Sequence, residues 1–226
     1  MPKQIDSVMV GDLGTNCWLY RLDEAAGGTQ PCVVIDPGDE AELIVSRLRE
    51  LNWKPDFILL THGHFDHLAG LPDLVEACGR DSGSPPKIAI HRLDAQYLGK
   101  DSLAVHRESL SAAGGSGYVD ALWKPMPAAD FLFEEGDAIG PFRVLHLPGH
   151  TPGSAAFYDE KRNVLFSGDT LFRGTWGRTD LPGGNEGQIF ISLKRLLSMK
   201  GEIVACPGHG PATTIAEEAA GLKALL

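Results

Sequence analysis

The chain has 226 residues and a formal net charge of −10, and 43% of its residues are hydrophobic and 22% charged. This length and composition are typical of one globular domain, which we predict over residues 1–226. The negative charge disfavours a nucleic-acid groove, which needs a basic surface. No apolar run approaches about 18 residues, so we predict no membrane span. We also predict no secretory signal, and four scattered cysteines without a CxxC pair indicate reduced thiols and a cytoplasmic protein.

The first part of the chain predicts strands joined by turns and by one helix. Apolar runs predict five strands: Ile5–Val10, Cys17–Leu22, Cys32–Asp36, Phe57–Thr61 and Lys87–His91. Apolar residues at helical spacing predict a helix over Glu40–Leu51. Runs this rich in Val, Ile, Leu and Phe suit strands that are buried on both faces.

The densest group of polar residues, HGHFDH, follows the fourth predicted strand. Imidazole and carboxylate groups are ligands that suit zinc, iron or manganese. His62 and His64 are two residues apart, so they can point the same way from an extended loop. Asp66 and His67 are adjacent, at the expected start of a helix over DHLAGLPDLVEAC, and cannot easily join the first pair on one ion. The spacing therefore indicates two metal ions, each served by one pair.

The stretch Lys100–Ala129 is predicted to be the least regular part of the chain, because its turns are rich in Gly and Pro. Two interpretations are open, a lid over the site or a surface insertion. In the lid interpretation Tyr118, Trp123 and Met126 would form an apolar wall. Trp176 is a further candidate for this wall.

The second part of the chain predicts a similar succession of strands with outer helices. Five further strands are expected, at Phe131–Phe133, Phe142–Leu147, Ser154–Tyr158, Val164–Ser167 and Ile203–Cys206. Two helices are expected, at Gly187–Met199 and Ala216–Leu226. Strands that alternate with outer helices favour two sheets packed face to face, an α/β fold with αββα layers.

Three glycine turns after these strands carry further candidate ligands. His150 and His209 each follow Pro-Gly and can supply one ligand to each ion, while Asp169 follows Ser-Gly and can bridge the two ions. Such turns lie at the carboxyl ends of strands, where open α/β sheets bind ligands. The remaining histidines lack this context and are interpreted as ordinary core or surface residues: His91, His106 and His146.

The order HxHxDH, His150, Asp169 and His209 resembles the metallo-β-lactamase superfamily. Within it the chain is most similar to bacterial hydroxyacylglutathione hydrolase-like (glyoxalase II-like) proteins. The resemblance extends from TNCWLY (15–20) and VVIDPG (33–38) to CPGHGP (206–211), and the segment 167–184 is similar to the short bacterial branch. It implies the same four-layer αββα sandwich.

The resemblance also implies a role for each candidate ligand. It implies that the first metal is bound by His62, His64 and His150, the second by Asp66, His67 and His209, and that Asp169 bridges them. True β-lactamases of the superfamily commonly have cysteine at the position of Asp169. Two divalent cations are expected as cofactors, with zinc preferred and iron or manganese as alternatives.

Other residues resemble parts of the family site around the metals. Asp36 matches an aspartate beneath the metals, which could accept a hydrogen bond from a ligand imidazole, and the alternative is a turn residue. Thr151 and Ser154 are similar candidates, with packing or capping as the alternative. Arg178 and Asp180 are interpreted as a buried ion pair that shapes its loop, with substrate contact as the alternative.

These features favour hydrolysis of a small-molecule thioester such as S-lactoylglutathione. A bridging hydroxide, oriented by Asp66, would attack the acyl carbon, and one metal would stabilise the oxyanion. Three alternatives stay open: a mononuclear iron persulfide dioxygenase, a lactonase or other ester hydrolase, and a non-catalytic binding protein. Larger glyoxalase II enzymes carry an additional helical segment that contacts glutathione, whereas 17 residues follow His209 here, so the thiol carrier is left open. We expect no nucleic-acid or membrane partner, and the sequence predicts no particular oligomeric state.

Overall fold

The computed structural model of the chain describes residues 4–22, 28–111 and 113–222. Within these ranges two six-stranded sheets pack face to face, and helices cover their outer faces. This arrangement is the αββα sandwich that the sequence predicts. No helix in the described ranges has both the length and the apolar character needed to cross a membrane.

The first sheet is formed by the amino-terminal half of the chain. Its strands, adjacent in chain order, are β1 (Ile5–Val10), β2 (Thr15–Arg21), β3 (Gln30–Ile35), β4 (Trp53–Leu59), β5 (Lys87–His91) and β6 (Phe131–Phe133). The pairs from β1 to β3 are antiparallel, and those from β3 to β6 are parallel. The carboxyl ends of β3, β4 and β5 therefore lie at one edge of the sheet.

The second sheet is formed by the carboxyl-terminal half. In chain order the strands of this half are β7 (Ala138–Ile139), β8 (Phe142–His146), β9 (Ala155–Asp159), β10 (Val164–Gly168), β11 (Leu171–Phe172), β12 (Thr175–Trp176), β13 (Val204–Pro207) and β14 (Thr213–Thr214). The spatial order is β14-β13-β10-β9-β8-β7, and β11 pairs with β12 in a separate hairpin. Because β10 is parallel to β13 and β8 runs in the same direction, the carboxyl ends of all three lie at one edge.

The described residues include six α-helices and two 3-10 helices, which lie between the strands or, for the last helix, after them. The α-helices are α1 (Ala41–Leu51), α2 (Leu71–Ser82), α3 (Leu103–Ser111), α4 (Ser116–Leu122), α5 (Glu186–Leu197) and α6 (Ile215–Leu222), and the 3-10 helices are Phe65–His67 and Arg92–Tyr97. The side chain of Asn185 caps α5 by accepting a hydrogen bond from the backbone N–H of Gln188 at 3.0 Å. Helix α1 is followed by Asn52, which adopts the left-handed conformation common at helix ends.

Three layers of apolar packing hold the sandwich together. Between the sheets, the Tyr20 and Phe142 rings lie 4.7 Å apart and the Phe142 and Phe166 rings 5.7 Å apart. Ile44 packs α1 onto the outer face of the first sheet, and Leu193 packs α5 onto the second. Burial of each such side chain stabilises the fold by about 1.5–3 kcal/mol.

The helix predicted to start at Asp66 begins later in the structure. Residues Phe65–His67 form a 3-10 helix, and α2 starts at Leu71 with Pro72 in its first turn. Proline has no N–H to donate, so it is favoured in this first turn. The candidate ligands Asp66 and His67 therefore lie on a short turn before the helix. The predicted last helix matches α6 up to residue 222, and residues 223–226 lie outside the described part of the chain.

The prediction of an irregular stretch over Lys100–Ala129 is wrong for the residues of two helices, but it holds for residues 123–129, which form no helix or strand. This segment contains α3 and α4, although residue 112 between them is not described. Tyr118 packs against Phe65 with ring centroids 5.7 Å apart, and Met126 is buried in the core. The proposed wall residues Tyr118, Trp123 and Met126 thus pack on the first sheet's outer core. Tertiary packing stabilises helices that the local sequence only weakly favours.

A buried polar group between the sheets gives a first prediction about stability. Tyr20 donates a hydrogen bond to the Asp159 carboxylate, and Arg162 Nη1 lies 2.9 Å from Asp159 Oδ2. Tyr20→Phe should lower the free energy of unfolding by about 1–3 kcal/mol, because a buried carboxylate loses one donor. Urea denaturation followed by circular dichroism measures this change. Tyr158→Phe is the control, and an equal loss in both variants would contradict the account.

Candidate metal centre

The candidate ligands lie at the edge of the sandwich where parallel strands of both sheets end. They follow four strands: His62, His64, Asp66 and His67 after β4, His150 after β8, Asp169 after β10 and His209 after β13. The two sheets are joined at this edge, because the Ala155 N–H donates to the Thr61 carbonyl at 2.8 Å. This junction brings residues that are far apart in sequence into one cluster.

Three histidines form the first cluster. His64 Nδ1 lies 2.8 Å from His150 Nε2, which lies 3.2 Å from His62 Nε2. All three side chains are buried, with at most 3% of the surface of each residue exposed. One nitrogen of each imidazole therefore faces the same point, as a three-histidine metal site requires.

Asp66, His67 and His209 form the second cluster. His209 Nε2 lies 3.2 Å from Asp66 Oδ2 and 3.3 Å from His67 Nε2. Asp66 and His67 are buried, and the His209 side chain is 25% exposed. This cluster combines two imidazoles with one carboxylate, and His209 is its most exposed member.

Asp169 lies between the two clusters. Its Oδ1 is 3.4 Å from His67 Nε2, and its Oδ2 is 3.6 Å from His150 Nε2 and 3.5 Å from His209 Nε2. Its carboxylate thus reaches nitrogen atoms of both clusters. The geometry is that of a group able to bridge two cations.

Hydrogen bonds at one nitrogen of each imidazole determine its tautomer. They therefore determine which nitrogen can face the centre without a proton. Three Nδ1 atoms donate to oxygen: His67 to Asp36 Oδ2 at 3.0 Å, His150 to the Arg178 carbonyl at 2.7 Å and His209 to the Leu13 carbonyl at 3.2 Å. His62 Nδ1 lies 3.1 Å from Thr61 Oγ1, and this hydroxyl accepts because its own proton goes to Asp36. In the neutral imidazole the other nitrogen, Nε2, keeps its lone pair. In this neutral form four Nε2 lone pairs converge on the centre.

Burial and neighbouring charged groups both shift the pKa values of these side chains. Burial and, to a smaller extent, the neighbouring His150 together lower the pKa of His64 to about 3. Burial also lowers the pKa of His67, but the carboxylates of Asp169 and Asp66 outweigh it and raise that pKa. For Asp169 burial raises the pKa, whereas His67 lowers it below the usual value. Burial thus disfavours a positive charge on the His64 ring, whereas the carboxylates around His67 favour a positive charge there, as they would favour a bound cation.

The side chains present fit a pair of divalent cations. Unprotonated nitrogens that lie about 3 Å apart repel one another unless a cation lies between them. Imidazole nitrogens with carboxylate oxygens are the donor set of zinc, iron and manganese sites. The two clusters, with Asp169 between them, could therefore hold one ion each.

Asp36 lies beneath the centre. It accepts hydrogen bonds from the Thr61 backbone at 2.8 Å and the Thr61 hydroxyl at 2.6 Å in addition to that from His67. A carboxylate in this position fixes the orientation and tautomer of the imidazole. This is the contact expected for Asp36 from the sequence.

Thr151 and Ser154 lie behind His150. They contact each other, with 2.8 Å between their hydroxyl oxygens, and the Thr151 hydroxyl donates to Asp94 Oδ2 at 2.7 Å. Sequence reasoning did not identify Asp94, which is fully buried in the 3-10 helix Arg92–Tyr97. In the sequence, a single aspartate in a polar turn has no neighbouring motif that would distinguish a buried residue from an exposed one.

Arg178 and Asp180 form the predicted ion pair, with Nε to Oδ1 at 2.7 Å, but the pair is not buried as predicted. The side chains are 50% and 66% exposed. The pair lies on the solvent side of its loop because it is the Arg178 carbonyl that faces inward, toward His150. Exposed pairs of this kind contribute about 0–1 kcal/mol.

The other three histidines lie outside the two clusters. His106 Nε2 donates to the Tyr97 carbonyl at 2.8 Å, and His146 Nε2 donates to the Pro152 carbonyl at 2.8 Å. His91 stacks on His146 with ring centroids 4.1 Å apart. The wall candidate Trp176 packs on Phe190 of α5, with 5.6 Å between ring centroids.

Comparison with known proteins identifies relatives along nearly the whole chain. The family model of the metallo-β-lactamase superfamily matches residues 10–209, a range that includes all seven candidate ligands. A probable metallo-hydrolase, YqgX of Bacillus subtilis, is 34% identical over 92% of this chain and 91% of its own. Hydroxyacylglutathione hydrolase GloC of Haemophilus influenzae is 33% identical over 95% of this chain and 94% of its own.

A solved structure shares the fold at higher identity. The crystal structure of TTHA1623 in a di-iron-bound form is 39% identical, with a TM-score of 0.77, and the match covers 96% of this chain and 98% of that chain. The similarity therefore includes both sheets and the edge where the two clusters lie.

Proposed function

The chain belongs to the metallo-β-lactamase superfamily, and from this premise we propose that it is a dinuclear metal-dependent hydrolase of thioesters of the S-lactoylglutathione type. The observation that carries the proposal is the pair of converging clusters with Asp169 between them. A centre that holds two cations can activate water and polarise a carbonyl group at the same point.

In this proposal each cluster holds one ion. The first ion would be bound by His62, His64 and His150, the second by Asp66, His67 and His209, and Asp169 would bind both. Zinc and iron both suit this donor set. The di-iron-bound form of a similar protein supports iron as an alternative to zinc. When bound, the ions would supply a water of lowered pKa and Lewis acidity toward the acyl oxygen.

The protein groups have separate tasks around the reacting atoms. Asp66 Oδ2, which lies 3.5 Å from the Thr15 hydroxyl, would accept a hydrogen bond from the attacking water and orient it. Asp36, through His67, keeps one imidazole in the orientation that the centre needs. A thiolate is a good leaving group, so no separate acid is required to protonate it.

The relatives support the choice of substrate class. GloC, 33% identical over nearly the whole of both chains, is a hydroxyacylglutathione hydrolase. Thioester hydrolysis requires an activated water and a polarised carbonyl group, which a two-ion centre can supply without a further cofactor. A cytoplasmic location and a small-molecule substrate without a nucleic-acid partner belong to this proposal.

Purification followed by metal analysis and assays of a substrate panel tests the proposal. We expect about two metal ions per chain and hydrolysis of S-lactoylglutathione or another thioester. We also expect activity to fall to background after chelation and to return when zinc or iron is added back. The panel includes a lactone, and a persulfide assayed with an oxygen electrode.

Each outcome distinguishes the candidate functions. Turnover of the lactone alone would replace the thioesterase by another hydrolase on the same centre. One iron per chain with oxygen uptake would instead support the persulfide dioxygenase and contradict the dinuclear hydrolase. A protein that binds no metal would overturn the whole proposal.

A further inference from the structure

Asp94 is a fully buried carboxylate that none of the proposed steps uses. It lies in the 3-10 helix Arg92–Tyr97, directly after β5, and faces the loops that carry the first cluster. A buried carboxylate is costly unless donors surround it, so its hydrogen bonds define its role.

One of these bonds reaches the loop between β4 and α2. The backbone N–H of Gly63 donates to Asp94 Oδ2 at 2.8 Å. Gly63 is the residue between His62 and His64, so this bond fixes the backbone from which both imidazoles project.

The other bonds reach the loop after β8. The Thr151 hydroxyl donates to Oδ2 at 2.7 Å and the Gly153 N–H donates to Oδ1 at 2.7 Å. Ser154 supports this arrangement, because its hydroxyl accepts from the Thr151 N–H at 2.9 Å. His150 immediately precedes this group, so the same carboxylate holds the loop of the third histidine.

Both loops have glycine at the point where the 3-10 helix approaches. A Cβ on Gly153 would lie 2.5 Å from the Asp94 carboxylate, and a Cβ on Gly63 would lie 1.9 Å from the Tyr97 ring. Such distances are far inside van der Waals contact. The approach of the 3-10 helix to both loops therefore requires glycine at both positions.

We infer that Asp94 is a positioning residue that sets the separation of His62 and His64 from His150 and thereby the affinity of the first metal position. This inference rests on the metal-binding part of the proposed function. Partners of ligand groups typically change metal affinity by about 10–100-fold.

The test compares Asp94→Asn with Asp159→Asn in stepwise zinc titrations against a chromophoric chelator. Both variants remove the charge of a buried carboxylate, but Asp159 lies between the sheets and contacts Tyr20 and Arg162. Both should lower the stability of the metal-free protein. Only Asp94→Asn should weaken one of the two zinc-binding steps, by about 10–100-fold.

A second pair of variants leaves the carboxylate in place. Gly153→Ala displaces Asp94 and should weaken the same binding step, whereas Gly117→Ala, with no atom within 4 Å of the added Cβ, should not. Equal zinc affinities for the wild type, Asp94→Asn and Gly153→Ala would overturn the positioning role alone. A wild type that binds no zinc would overturn the proposed function together with this inference.

Discussion

Replacement of Asp169 by alanine should lower kcat/KM for thioester hydrolysis by about 10³-fold or more, which corresponds to about 4 kcal/mol of transition-state stabilisation. Asp169 is the side chain that reaches both clusters, at 3.4 Å from His67 Nε2 and 3.6 Å from His150 Nε2. Its loss removes a shared negative charge from between two cations. Metal content should therefore fall from about two ions per chain to one or fewer, as measured by elemental analysis.

Two further variants show whether the loss of activity comes from the lost carboxylate charge or from a general effect of replacing an aspartate. Asp169→Asn keeps the shape of the side chain and should lose most of the activity, because the amide is a poorer ligand. Asp73→Ala is the matched control, since Asp73 is exposed and paired with Lys124 at 2.5 Å. Full thioesterase activity with two ions in Asp169→Ala would contradict the bridging role.

Gly208→Ala should disable the centre without removing any ligand. An added Cβ would lie 2.2 Å from Asp169 Oδ1 and 2.6 Å from His67 Cε1. Both side chains are buried, so the added methyl group would meet them inside the site. We expect activity to fall by at least about 100-fold and the free energy of unfolding to fall by about 1–3 kcal/mol, as for other overpacked sites.

Gly221→Ala is the control for this substitution. Gly221 lies in α6 and has no atom within 4 Å of an added Cβ. Alanine there should stabilise the helix slightly and leave activity unchanged. Circular dichroism should show native secondary structure for both variants. Wild-type activity in Gly208→Ala would contradict the account, because the added methyl group would then leave Asp169 and His67 in working positions.

The sequence predicts the sandwich and the position of the candidate ligands for a common physical reason. Short apolar runs in the sequence indicate buried strands, and the turns that end these strands contain glycine followed by a polar residue. HGHFDH, for example, follows β4 directly, so its location needs only local information. That His62 and His67 bind metal remains a prediction until ions are measured.

Contacts between distant residues are what the sequence could not predict. Asp94 bonds to residues 31, 57 and 59 positions away, so only the folded chain shows its role. The local sequence did not predict α3 and α4, because residues of both helices pack against the distant Phe65. Arg178 was assigned to a buried pair, whereas its backbone carbonyl is the group that faces His150.

Anomalous diffraction from crystals grown without chelator tests the central claim most directly. We predict two peaks about 3.5–4 Å apart, one beside His62, His64 and His150 and the other beside Asp66, His67 and His209, with Asp169 between them. A single peak, or peaks away from these side chains, would contradict the dinuclear centre.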